Sequence, residues 1–152
     1  MTKSLANPHD RAALASRLRA LAPDSRREWG RMTPHQAMCH LSDSFRSMMN
    51  PVPISSRSTV FSRTFVRWVA LHSGLQWPHG VKTMPEVDQE IGGTRPVEFA
   101  RDTRELEELM EQFSRCTDGT LPPHPIFGRL STREWQQWGW RHTDHHLRQF
   151  GV

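Results

Sequence analysis

Three histidines and a glutamine stand near the end of this 152-residue chain, where a helix facing a core should be apolar. Wound at about 100° per residue, Trp135, Trp138, Gly139, His142, His145, His146 and Gln149 share one face. The tryptophans mark that face as buried. A buried polar side chain left without a partner costs roughly 1–3 kcal/mol, and three packed imidazoles do not easily all find carbonyls. His142 and His146 are four residues apart, so their rings lie one turn apart on the same side. A helix offers two nitrogens to one metal ion in this way. A third ligand must come from elsewhere, and His40 is the candidate. It sits at the edge of an apolar stripe beside the small residues Ala37 and Ser44. His145 reads as a hydrogen-bonding neighbour of the pair, Gln149 and Asp43 as polar supports or ordinary edge residues. His124, in Pro-Pro-His-Pro, is placed at a pocket mouth, and His9, His35, His72 and His79 at the surface. Cys39 winds to roughly 140° from the middle of its helix's stripe and is a poor ligand.

The elements that must position these residues are helical. Asn7 and Pro8 open a helix over about 8–22, stopped by Pro23. Thr33 and Gln36 form a capping box, with Pro34 at the first position, for a helix over about 34–49. A third segment, about 58–76, carries Phe61, Phe65, Trp68, Val69 and Leu75. Asp102 with Glu105 marks the start of a fourth, about 103–116, and Ser131 with Glu134 the start of the last. Nothing in the first 116 residues alternates at period two, so strands are not expected. The long stretch between the second and fourth helices suits a crossover, with segment 58–76 packed across the others.

Length predicts one domain over 1–152. The N-terminus lacks the apolar core of a secretory signal, and Cys39 and Cys116 form no disulfide spacing, so the cytoplasm is the expected compartment. No apolar run reaches membrane-spanning length, so no membrane partner is expected. The net charge of +4 is unevenly spread. Ser44 to Pro85 contains no acid, and Arg63, Arg67 and Lys82 within it could hold the carboxylates of a small ligand or be solvated surface cations. The basic residues form no recognisable reading motif, which disfavours nucleic acid as a partner. H-E-x-x-H, Cys-x-x-Cys, a phosphate-binding glycine loop and a nucleophile elbow are all absent. Apolar faces on the crossover segment would support a homodimer.

The run Trp29-Gly-Arg-Met-Thr-Pro-His-Gln-Ala-Met-Cys-His-Leu41 resembles the second-helix start of DinB-like proteins. His142-Thr-Asp-His-His-Leu-Arg-Gln149 resembles their His-x-x-His-His-x-x-Gln signature. His124-Pro-Ile-Phe-Gly128, Glu134-Trp135 and Lys82-Thr-Met-Pro-Glu86 are similar to a domain-of-unknown-function branch of that superfamily. The resemblance implies an all-α, up-down-down-up four-helix bundle with an added crossover helix. It implies a divalent metal (zinc, nickel or iron) held by three histidines, here His40, His142 and His146. Relatives of known chemistry are metal-dependent thiol transferases using bacillithiol, mycothiol or glutathione, and a maleylpyruvate isomerase; a related domain holds iron in sulfoxide synthases. The chain departs from the common His-His-Arg-Gly-Gln ending, reading His-His-Leu-Arg-Gln. The expected activity is thiol S-transfer or a related lyase or isomerase reaction, with a small thiol and an electrophile as partners. The alternatives are a non-catalytic metal- or ligand-binding module, stress-linked, and a bundle whose histidines form only a polar core network.

Overall fold

The computed structural model describes residues 2–50, 54–117 and 119–152. Among these, five α-helices form and no strand does; the single bridge is His124 with Gly128. Helix α1, Pro8–Arg19, starts where expected, with the Asn7 side chain accepting from the His9 backbone N–H at 2.9 Å. It ends three residues earlier than the sequence predicts. Pro23 has no N–H for the Arg19 carbonyl, and its ring would collide with that carbonyl in a continued helix. Helix α2, Pro34–Met49, keeps its predicted bounds because the Thr33–Gln36 capping box is formed in both directions.

The third segment is shorter than predicted. A π-helical turn, Ser62–Val66, runs into helix α3, Arg67–His72. Its aromatic residues do not pack inward: Phe61, Phe65 and Trp68 are 62%, 57% and 57% exposed, and Leu71 is the fully buried residue. A 3-10 turn, Pro85–Val87, follows. Helix α4, Phe99–Phe113, begins four residues before the predicted start. Its cap is Glu98, whose carboxylate accepts from Ala100 N–H at 3.0 Å and Arg101 N–H at 2.8 Å. Asp102 is already inside the helix, because its N–H bonds the Glu98 carbonyl at 2.9 Å. Helix α5, Thr132–Arg148, opens on the complete Ser131–Glu134 capping box.

Helix α2 packs against α4 and α5, α1 against α4 and α5, and α3 against α5. Leu14, Leu18, Met38, Leu41, Phe45, Leu106, Phe113, Trp138 and Leu147 lie in one continuous core between them. Gly139 lets α5 approach closely: a Cβ there would lie 2.5 Å from Leu5 Cδ1 and 3.2 Å from the Phe45 ring. No helix among the described residues is long and apolar enough to cross a membrane.

Candidate metal centre

Helix α2 supplies His40, and α5 supplies His142 and His146 one turn apart. The ligand-capable nitrogens of the three lie within 4.8 Å of one another. His40 and His146 are 5% and 8% exposed, and His142 is half-buried. Each of the two buried rings has one nitrogen committed elsewhere. His40 Nδ1–H donates to the Val87 carbonyl at 2.8 Å, which leaves a lone pair on Nε2. His146 Nδ1 lies 3.2 Å from Gln149 Oε1, while Gln149 Nε2 donates to the Trp29 carbonyl at 3.1 Å. Because a carbonyl can only accept, the Gln149 amide nitrogen must face Trp29. Its oxygen must then receive the His146 Nδ1 proton, and Nε2 of His146 is bare. Gly30 makes room for this amide. With φ +77° it occupies a conformation that suits glycine, and a Cβ would lie 2.5 Å from Gln149 Nε2.

His142 completes the group. Its Nε2 is 3.2 Å from His40 Nε2, and its Nδ1 is buried without a hydrogen-bond partner among the described residues. Two nitrogens bound at about 2.0–2.1 Å to one tetrahedral ion stand roughly 3.3–3.4 Å apart, close to this separation. Burial holds His142 and His146 well below the usual histidine range, and the neighbouring imidazoles push them further down. Burial also lowers His40, partly offset by its bond to Val87. All three are therefore neutral at physiological pH, the state in which imidazole binds metal.

Rings wall the triad. Trp138 lies 5.0 Å from His142, centroid to centroid, and Trp77 stacks on it at 5.9 Å. The His145 side chain makes no hydrogen bond among the described residues; it packs against Trp29 at 4.7 Å, Trp77 at 5.8 Å and His146 at 5.4 Å. Trp29, Trp77, His145 and Arg141 also line an open cleft of about 540 Å³, so a single layer of rings separates cleft from triad. Burial lowers the Arg141 guanidinium from its ordinary value.

The cations singled out in the sequence lie elsewhere. Arg63 and Arg67 line a second hollow of about 710 Å³, beside Pro122–Arg129, which shares no residue with the first. Arg67 pairs with Glu134 at 3.4 Å and donates to the Arg129 carbonyl at 2.9 Å. Lys82 is exposed and lines neither hollow.

His124 lines the second hollow, as the sequence suggests, but is itself buried. Its Nδ1 accepts from the Ile126 and Phe127 N–H groups at 3.1 and 3.2 Å, and burial pushes its pKa down to about 3. Asp43 makes no hydrogen bond to a histidine among the described residues: it accepts from Gln89 at 3.0 Å and from the Thr94 N–H at 2.7 Å, and its charge favours the protonated form of nearby His40. His35 is not a free surface residue. Its Nε2 lies 2.7 Å from Asp102 Oδ2, the oxygen that also accepts from Cys39 Sγ at 3.7 Å and Val97 N–H at 3.1 Å. Burial, then Asp102, pushes the Cys39 thiol up to about 12, so it stays a thiol. This group clamps α2 to α4.

What fold and site define together is an all-helical protein in which three neutral histidines from two helices converge beside an aromatic cleft. The chain belongs to the family described as "Protein of unknown function (DUF1569)", whose model matches residues 2–151. No curated protein and no solved structure matches it.

Proposed function

We propose that the protein is a DinB-like four-helix-bundle enzyme with an added crossover helix. It holds a divalent metal through His40, His142 and His146 and carries out thiol S-transfer, or a related lyase or isomerase reaction, on a small molecule. One observation carries this reading. The His40 and His142 nitrogens stand 3.2 Å apart, while Val87 and Gln149 fix the far nitrogens of His40 and His146. A polar network needs no such outward anchoring, whereas metal-binding histidines characteristically donate their second N–H to a carbonyl or similar acceptor. A divalent ion with three nitrogen ligands lowers the pKa of a thiol and keeps coordination positions open. The chain's own part is orientation and exclusion. Val87 and Gln149 set the ring planes, and Trp77 and Trp138 keep the His142 side dry.

The test is optical. Cobalt-substituted protein, titrated separately with bacillithiol, mycothiol and glutathione, is expected to develop a sulfur-to-cobalt charge-transfer band with one of them. A spectrum unmoved by all three but shifted by azide would show an open site that does not take thiols.

A further inference from the structure

Five arginines among the described residues are half-buried: Arg11, Arg17, Arg46, Arg67 and Arg141. The first four each pair with an acid, namely Glu111, Asp144, Asp43 with Glu105, and Glu134. Of these five, Arg141 alone makes no ion pair among the described residues; Asp144, three residues on, acts on it only from beyond ion-pair distance. The one hydrogen bond of the Arg141 side chain runs from Nη2 to the Leu75 carbonyl, and its Nε is buried without an acceptor. A guanidinium withdrawn from water is costly unless an anion meets it. The nearby cations have partners: Lys3 meets Asp10 at 3.1 Å and Arg148 meets Asp144 at 3.9 Å. Asp144 itself is held by Arg17 at 2.7 Å.

Arg141 lines the cleft beside the triad, one residue before His142 and one turn before His145. One part of that wall is aromatic, set among polar residues that include Gln76, Asp144 and Arg148. Trp29 stacks on His79 at 3.9 Å with planes 10° apart, and Trp77 and Trp140 also line the cleft. One unpaired cation matches one negative charge, a carboxylate rather than a phosphate dianion. The guanidinium fork accepts a carboxylate through two parallel bonds.

We propose that Arg141 anchors the carboxylate of a small planar organic acid whose body lies against the aromatic wall of this cleft, next to the histidine triad. This deepens the enzyme reading by naming a ligand class for its site. It assigns to Arg141 the anchoring role for which Arg63, Arg67 and Lys82 are the sequence candidates.

The experiment uses the full chain stripped with chelator, so a carboxylate cannot be held by metal, and the metal reading stands or falls separately on metal content. Cinnamate and its neutral counterpart cinnamamide are titrated while the fluorescence of the cleft tryptophans is followed. Cinnamate is expected to bind at least about tenfold more tightly, as loss of a charge-assisted bidentate contact would dictate. Arg141→Met should abolish that preference. Arg141→Lys should keep part of it, and Arg148→Met most of it, with circular dichroism confirming retained helix. Equal affinity for the two compounds in the wild-type protein, binding of neither, or a preference that survives in folded Arg141→Met overturns the assignment. The wild-type comparison decides even if a variant fails to fold.

Discussion

The α2–α5 pair and the crossover between α2 and α4 are built on opposite principles. Both helices of the pair open on complete capping boxes and bury a continuous apolar face, and every triad histidine sits on one of them. The crossover has a π-helical turn, a six-residue helix and exposed Phe61, Phe65 and Trp68. Yet it delivers two parts of the site: the Val87 carbonyl behind His40 and the Trp77 ring over His142. Ligand geometry is thus carried by the rigid pair, and orientation and shielding by the irregular segment. A helix fixes its side chains through its own repeating bonds, whereas the crossover is fixed by individual contacts with the helices it crosses.

The sharpest way to break this contrast is to empty one contact on each side. Phe113 is fully buried against Phe45, Trp135 and Trp138. Phe113→Ala should cost about 3–5 kcal/mol in urea unfolding, the usual loss for a large aromatic in a closed core. Trp68→Ala, on the exposed crossover face, should stay within about 0.5 kcal/mol. Similar losses for both would show that the crossover is as tightly integrated as the core.

Gln149 refines the comparison within the rigid pair. Gln149→Leu removes the acceptor of the His146 Nδ1 proton and is expected to weaken metal affinity about 10–100-fold in chelator competition. His145→Ala, which breaks no hydrogen bond, should weaken it less. The reverse order would put the working ligand at His145.

Acid should act on the link between α4 and α5, outside both regions. His124 has a folded pKa near 3, held down by burial, against roughly 6.5 when unfolded. Between those values the unfolded chain binds the extra proton, so the contribution of neutral His124 is complete above the unfolded pKa and is lost as pH falls. Unfolding curves of wild type and His124→Gln should therefore draw together by up to about 2 kcal/mol between pH 7 and pH 5. A gap that does not change with pH would mean His124 takes up its proton without leaving its packing against Phe127, Trp135 and Trp138.

How much of this was legible in the sequence follows the same division. The bounds of α2 and the start of α5 were readable because Thr33–Gln36 and Ser131–Glu134 are local chemistry. The His142–His146 pair was readable because helix periodicity places it, and its meeting with His40 followed once α2 and α5 were neighbours. The start of α4 was misread because Asp102 and Glu105 imitate a capping box four residues inside the true cap at Glu98. His35 and Cys39 were set aside because winding a helix reports only its main stripe. Helix α2 has a second covered face, against α4, and that is a tertiary fact. The Val87 carbonyl has no signal at all, since any residue could supply it. Arg141 has no signal in the sequence because an arginine on a helix ordinarily reads as solvated, and only its half-burial without an ion pair among the described residues sets it apart.

The most direct test of the three-histidine centre is metal content by mass spectrometry on protein purified without a histidine tag. Wild type, grown with adequate metals, should carry roughly one divalent ion per chain, with His142→Ala and His146→Ala nearly empty while their helical circular dichroism is kept. A metal-free wild type, or a His142→Ala, His146→Ala double variant as well loaded as the parent, would contradict it.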